Sequence, residues 1–417
     1  MRKSATAFVV SAALAAGGAF ANEGQMPAGI VPLDHVFLIM MENHGYGQIM
    51  GNPNAPFVNQ YARQANLATN YFAVGHPSLT NYLEVVGGSN FGVRSDNSPD
   101  WHDAHCTPNI QSGTPSTDNP PSPDICPISG SGVDAATPAV DTTNEISNPG
   151  DVINDIDGVQ SVPAAPTTGE TIGDQLAARR MSWKSYQESL PPVGADGIDV
   201  SDGFFTNLTD FGAITPTLTP PLTSSDIVAL YAVKHNPFAY FRSVQQGANP
   251  RNSLANTVGF DGADGLYADL ASGDVPSFSF IAPNQCNDQH GRGNAGAFCN
   301  FDPLSDGSQA GLNPALLIRG DQTVQKLVGA IKSSPAWRQG HNAIIVTWDE
   351  NDYSVAPNLN QVVTIVDTNY GSHGLQSGTR YNHFSLLKTL EAGFQLPCLN
   401  HACDRDVQVM SDLFGRH

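Results

Sequence analysis

The segment GHPSLTNYLEVVGG, Gly75–Gly88, places a hydroxyl where nucleophilic chemistry is feasible. Ser78 follows Gly-His-Pro, and Leu79, Tyr82, Leu83 and Val86 then recur at helical spacing, so the serine stands at a helix N-terminus. Backbone N–H groups and the positive end of the helix dipole there stabilise an alkoxide or a phosphate oxygen. The plain alternative is a serine that only caps its helix. No G-x-S-x-G turn is present, which argues against a serine hydrolase. Three further clusters offer metal ligands: Glu42-Asn43, the stretch NQCNDQH from Asn284 to His290, and Asp349-Glu350-Asn351-Asp352. Carboxylates, amides and a few histidines suit a divalent cation. Each cluster taken alone fits a solvated loop equally well.

The elements that must position these residues follow from hydrophobic patterning. The run VFLIMM, Val36–Met41, is apolar without alternation, as in a strand covered on both faces of a parallel sheet. Similar strands are expected at Ser277–Ala282, Ala343–Trp348 and Val362–Val366. Helical patterns lie between them at Phe57–Leu67, Leu79–Val86, Thr171–Arg180, Gln322–Lys332 and Phe384–Ala392. This alternation predicts an α/β fold with a mostly parallel central sheet and helices on both faces. The three ligand clusters each follow a predicted strand, at the carboxyl edge where such sheets bind ligands. From about Asn90 to Thr168 the chain turns to Ser, Thr, Pro, Asp, Asn and Gly. So long an irregular stretch is read as an insertion over the site mouth that governs substrate choice. A second irregular region spans Leu190–Ser225. No internal repeat and no domain boundary is visible, so residues 22–417 are expected to form a single domain.

With 19 Lys+Arg against 39 Asp+Glu among 417 residues, the formal charge is −20. That balance opposes binding to nucleic-acid phosphates or anionic lipid. At 40% hydrophobic and 14% charged residues the chain has the composition of a folded protein. Arg2 and Lys3, an apolar run to Phe20 and Ala19-Phe20-Ala21 have the order of a secretory signal peptide over 1–21, cleaved near Ala21. An exported chain, periplasmic or secreted, without a transmembrane segment after cleavage is therefore expected. All six cysteines fall later, in sequence-local pairs read as disulfides 106–126, 286–299 and 398–403. No C-x-x-C spacing points to a zinc site.

The sequence resembles a known family in five places, in order: MMENHGYGQIMG at 40–51, GHPSLTNYLEVVGG, PSFSFIAPNQCNDQHG at 276–291, AIIVTWDEND at 343–352 and YNHFSLLKTLEAGFQLP at 381–397. These look like the motifs of the bacterial phosphoesterase family, which groups secreted acid phosphatases with phospholipases C in the alkaline-phosphatase-like superfamily. The resemblance runs from about Pro32 to Leu396. It implies an alkaline-phosphatase-like fold, a metal-dependent phosphoester hydrolysis through a phosphoserine, and a small phosphoester substrate. By this resemblance Glu42 and Asn43 match the first metal-binding pair, Asp349 and Glu350 the second pair, and Ser78 the nucleophile that also faces the metal. Asn81 matches the asparagine that holds a non-bridging phosphate oxygen. Asp288 and His290 match a pair that, in two-metal members, binds a second ion together with a distant histidine, here His373 or His383. One metal site is expected, with a second left open. The Asp-Glu pair, where other branches have Asp-His, leaves the identity of the divalent ion open.

The remaining histidines have two readings each. His383 heads a helix, as a cap or, with His290, as a proton donor to the leaving oxygen. His235, in KHNPFAYF, binds substrate or is simply buried among aromatic rings. His76 shapes the turn before Pro77 or faces the site, and His44 follows the first metal pair. The chain ends soon after the last family motif, which favours an acid-phosphatase-like monoesterase. A phospholipase C-type diesterase and an inactive binding protein are the alternatives.

Overall fold

A computed structural model describes residues 24–91, 169–190, 198, 230–291, 314–351 and 360–415. The leader at 1–21, most of the 90–168 insertion, most of 190–225, and Cys106, Cys126 and Cys299 lie outside these residues. Ten strands occur among them: β1 His35–Met41, β2 Asn66–Ala68, β3 Tyr71–Phe72, β4 Trp183–Gln187, β5 Thr257–Val258, β6 Phe278–Ala282, β7 Asn342–Trp348, β8 Thr364–Thr368, β9 Gln376–Ser377 and β10 Tyr381–Asn382. Eight form one sheet in the order β5-β4-β6-β1-β7-β8-β2-β9, while β10 pairs with β3 apart from it. β4, β5, β6, β1 and β7 run parallel, and β8 runs antiparallel to both its neighbours. The sheet is therefore mostly parallel, as the apolar runs predict.

The predicted core strands appear within a residue or two, because a strand buried on both faces requires an unbroken apolar run. Val36 through Met41 and Ala343 through Val346 have no exposed surface. The pattern at Val362–Val366 is displaced to β8, and β2 and β4 escape it. β2 has only three residues, and β4, WKSYQ, carries Lys184 and Gln187 among its apolar positions. The predicted helices form at Pro56–Gln64, Ser78–Gly87, Ile172–Ala178, Pro314–Ser333 and His383–Gly393. The Ser78–Gly87 helix is buried along its whole length and packs against His383–Gly393 and Ile172–Ala178. Pro314–Ser333 packs against Pro56–Gln64, whose first-turn N–H groups at Phe57 and Val58 donate to the Asp321 carboxylate. That contact satisfies helix-end donors that have no partner within their own helix.

Register delivers the site. Met41, the last residue of β1, pairs with Trp348, the last of β7, so Glu42 and Asp349 leave adjacent strands side by side. The Asp349 N–H donates to Met41 O, and the Glu42 N–H donates to Asp288 O in the loop after β6. Of the expected disulfides, Cys398–Cys403 is formed. Among the described residues no helix is long and apolar enough to cross a membrane.

The loop after β6 is braced from below. Gln289 has φ +85°, accepts a hydrogen bond from Trp348 Nε1 at 2.8 Å and donates to Leu317 O at 3.3 Å. Its side chain occupies the space where a Cβ on Gly320 would sit. Alanine at a helix position normally gains up to about 1 kcal/mol over glycine. Overpacking a fixed side chain costs about 1–3 kcal/mol, so the clash wins. Gly320→Ala is expected to lower the unfolding free energy by about 1–2 kcal/mol in urea titrations; a stabilised variant would show that Gln289 is free to move.

Candidate active site

Ser78 is the first residue of its helix, with Pro77 in the capping position. Its hydroxyl does not bond to the helix backbone. Oγ lies 3.1 Å from Glu42 Oε2 and 3.3 Å from Glu350 Oε1. One hydroxyl hydrogen cannot serve two carboxylates at once, and two carboxylates converging on one buried oxygen repel each other. The capping alternative therefore fails, and the arrangement has the charge imbalance of a cation site.

Four carboxylates, Glu42, Asp288, Asp349 and Glu350, are each at most 1% exposed. Burial pushes the Asp288 carboxyl well above the usual range, and the Glu42 charge adds to the effect. Burial also pushes Asp349 up to about 7, against the opposing pull of the Asn43 N–H and the Ser78 hydroxyl. Asn43 takes a left-handed conformation, φ +52°, and its N–H donates to Asp349 Oδ1 at 3.1 Å. Clustered buried carboxylates of this kind are stable when a cation lies among them. The donor set, hard oxygens with one serine hydroxyl, fits a divalent ion.

Three sequence expectations change with the hydrogen bonds. Asn81 is saturated: Nδ2 donates to Gly75 O at 2.8 Å and to Glu350 Oε2 at 2.9 Å, while Oδ1 accepts from the N–H groups of Val74 and Gly75, each at 3.1 Å. A primary amide has two donors and two acceptor positions. In this arrangement Asn81 ties the turn before Ser78 to Glu350. His383 is likewise committed. Its Nε2 meets the Asp349 carbonyl at 2.6 Å, so it must donate, and its Nδ1 lies 3.0 Å from Tyr71 Oη. Burial pulls its pKa down to about 4, consistent with a neutral ring that orients Asp349 and does not deliver a proton. His290 Nδ1 donates to Gly291 O at 2.7 Å, which leaves Nε2 as an acceptor 3.1 Å from Lys234 Nζ. It reaches the site with a lone pair where a general acid needs a proton.

Of the histidines expected beside Asp288, His373 lies elsewhere. His373 is 44% exposed and lies 3.5 Å from Asp367. Asp367 pairs with Ile344 near the start of β7, at the edge opposite the site. His235 lies there, its Nε2 3.1 Å from Glu42 Oε1 and its Nδ1 3.3 Å from Asp288 Oδ2. Its ring stacks on Tyr82, with centroids 5.3 Å apart. Glu42, His235 and His290 together could hold a metal ion. His76 Nδ1 is 3.0 Å from Glu350 Oε2, so this histidine faces the site. His44 Nδ1 donates to Glu42 O at 3.0 Å, and burial pulls its pKa down to about 4. Lys234, buried at 6% exposure, and Asn360 had no signal in the sequence. Asn360 accepts from the Asn351 N–H at 2.7 Å and donates to Gly75 O at 2.8 Å, joining the β7 loop to the serine turn.

A parallel α/β sheet that gathers buried carboxylates and a helix-terminal serine at its carboxyl edge defines a hydrolase-type scaffold built for anionic esters. Comparison with known proteins makes the class specific: a model of the phosphoesterase family matches residues 52–298 and 313–397, and the chain belongs to that family, enzymes that hydrolyse phosphoric esters. It is 23% identical over 415 residues to a phosphatidylinositol-3-phosphatase of Mycobacterium tuberculosis, covering 98% of this chain and 92% of the relative. It is 22% identical over 370 residues to an acid phosphatase of Aspergillus fumigatus, covering 88% of this chain and 56% of the relative. The chain thus spans little more than half the length of that fungal relative. A solved structure of a protein in the alkaline phosphatase superfamily from Vibrio parahaemolyticus is similar with a TM-score of 0.46 and 14% identity, covering 92% of this chain and 71% of that one.

Replacing Asn81 with alanine would leave the N–H groups of Val74 and Gly75 without their buried acceptor. Each such loss costs about 1–3 kcal/mol. Asn81→Ala is expected to lose about 2–4 kcal/mol of stability by denaturant unfolding and to reduce turnover through a displaced Glu350. Asn81→Asp, which keeps the acceptor but sets a carboxylate against Glu350 and the Gly75 carbonyl, is expected to be no more stable than Asn81→Ala at neutral pH.

Proposed function

We propose that this protein is an exported, metal-dependent phosphatase that hydrolyses phosphomonoesters through a phosphoserine at Ser78. The observation that carries this reading is the Ser78 hydroxyl, which starts a buried helix yet turns from its backbone to two buried carboxylates. The names of the relatives, an acid phosphatase and a phosphatidylinositol-3-phosphatase, support a phosphatase. Export is supported by the leader-like residues 1–21.

Glu42, Asn43, Ser78, Asp349 and Glu350 would hold a divalent cation, whose chemistry when bound is to neutralise charge and to acidify the serine hydroxyl. The chain's own residues do the rest. Glu42 or Glu350 takes the Ser78 proton, both within hydrogen-bond reach. Ser78 Oγ attacks phosphorus in line as the bond to the leaving oxygen breaks, and the departing alkoxide is protonated by water. The positive end of the Ser78–Gly87 helix stabilises the negative equatorial oxygens. Water then attacks phosphorus from the vacated side as the bond to Oγ breaks, the protonated carboxylate returns its proton to Oγ, and inorganic phosphate leaves with net retention. His235 and Asp288, held against Glu42, orient that carboxylate for the first proton transfer. Most of such catalysis is positioning and electrostatics, which explains why so many of these groups are buried.

Ser78→Ala is expected to reduce hydrolysis of a phosphomonoester by about 10³-fold or more while the protein stays folded and metal-bound; activity within tenfold of wild type would remove the serine from the chemistry. Asp349→Ala is expected to lose metal and activity together, as read by elemental analysis beside the rate. A metal-replete but inactive variant would place Asp349 outside the ligand set. Parallel rates on a monoester and on phosphatidylcholine separate a phosphatase from a phospholipase C.

A further inference from the structure

The two helices that begin at the site, Ser78–Gly87 and His383–Gly393, are joined again away from it by the loop that the Cys398–Cys403 bond closes. The serine helix ends on Gly88, φ +72°, and the last carbonyls of a helix have no partner within it. The loop supplies donors to two of these groups. Asn400 Nδ2 donates to Gly87 O at 2.7 Å, and the His401 N–H donates to Gly88 O at 2.9 Å. The approach is so close that a Cβ on Gly88 would lie 2.6 Å from Leu399 O. On its other side the chain of this loop lies along one face of the His383–Gly393 helix. The Leu399 N–H donates to Glu391 Oε1 at 2.7 Å, and Lys388 Nζ donates to Asp404 O at 3.0 Å and to Val407 O at 2.8 Å. The His401 ring packs on Phe384, with centroids 5.2 Å apart. Asn400 holds a left-handed conformation, φ +43°, which asparagine adopts more readily than most side chains.

We propose that this loop braces the nucleophile from the far end of its helix, with Asn400 as a positioning residue for Ser78, and that turnover therefore depends on the Cys398–Cys403 bond. The inference rests on the phosphatase reading above. The Ser78–Gly87 helix is buried along its whole length and is a rod about 15 Å long. Tilting such a rod by about 8° about its midpoint displaces its first residue by about 1 Å. Asn81 holds the end that carries Ser78, but orientation is fixed only when the other end is held as well. The second helix matters equally, because His383 at its start donates to the Asp349 carbonyl. The loop thus sets the position of Ser78 relative to Asp349 from the side that no contact within the site reaches. Opening the bond returns conformational freedom to the residues between the cysteines. The donors of Asn400 and His401 then no longer stand at a fixed place.

The test uses the full-length protein with Asn400→Gly, with Cys398→Ala and Cys403→Ala together, and with all three changes, beside wild type. Glycine accepts the left-handed backbone, so Asn400→Gly removes the side-chain donor without adding strain. Steady-state kinetics on an aryl phosphomonoester give kcat and KM, elemental analysis gives the ion content, and urea unfolding gives the stability. Asn400→Gly is expected to lower kcat about tenfold and the cysteine pair about 10²-fold, the scale of a misplacement of about 1 Å. KM is expected to stay within about twofold and the ion content to stay unchanged, since the acidic ligands are not displaced. Adding Asn400→Gly to the cysteine pair is expected to cost less than about threefold more, because both act through one loop. A loop that only stabilises the fold would lower the unfolding free energy and leave kcat of the folded protein within about twofold of wild type; that result overturns the proposal. Losses that multiply in full in the triple variant overturn it too. If the cysteine pair does not fold, Asn400→Gly keeps the disulfide and decides by its kcat alone. Absence of any Ser78-dependent hydrolysis in wild type would instead overturn the phosphatase reading, whereas a failed brace leaves wild-type hydrolysis intact.

Discussion

Four carboxylates buried around one serine hydroxyl set the terms for the rest of this structure. Taking Glu42, Asp288, Asp349 and Glu350 out of water is unfavourable unless each is balanced by hydrogen bonds, by a cation, or by protonation. The fold meets that requirement by exporting the cost to its loops. Asn43 bends into a left-handed conformation that brings its N–H to Asp349, and beside Asp288 the left-handed Gln289 is followed by His290, whose N–H donates to Asp288 Oδ1 at 2.7 Å. The sheet contributes the spacing: β6, β1 and β7 are neighbours and parallel, so their carboxyl ends deliver the acidic residues to one place without long connecting arms.

Around these acids lies a set of polar residues that hydrogen-bond to one another and to the backbone of the site loops. Asn81 links the serine turn to Glu350, Asn360 links the same turn to Asn351, and His383 holds the Asp349 carbonyl. The β3–β10 pair brings His383 to Tyr71. Such groups keep the reacting atoms in place while making no chemistry of their own, and a displacement of about 1 Å is enough to cost two orders of magnitude in rate. The division of labour is therefore sharp. Glu42 and Glu350 face Ser78, while Asn81, Asn360 and His383 brace the loops around it.

Lys234 and His235 come from consecutive positions of a single 3₁₀ turn and meet different partners, His290 in one case and Glu42 with Asp288 in the other. Stacking of His235 on Tyr82, a residue of the serine helix, couples this turn to the nucleophile's own element. The phosphoesterase family assignment rests on the match over residues 52–298 and 313–397, which spans this turn, although none of the five sequence motifs includes it.

The amino-acid sequence by itself determined the α/β class, the core strands, the helix that begins at Ser78, and the gathering of Glu42, Asn43, Asp349 and Glu350 at strand ends. Those features are local: an apolar run without alternation, a 3.6-residue period, and a polar cluster where the run stops each carry their meaning within about ten residues. Tertiary structure alone decided the reversal of β8, the short strands β2 and β4, and the roles of Asn81, His383 and His290. It also brought Lys234 beside His290, set His235, a candidate from the sequence, against Glu42 and Asp288, and left His373 at the far edge. A side chain's hydrogen-bond valence is settled by partners that stand, as Tyr71 does to His383, 312 residues away. Which histidine nitrogen carries the proton, and which amide has a donor to spare, exists only once those partners have met.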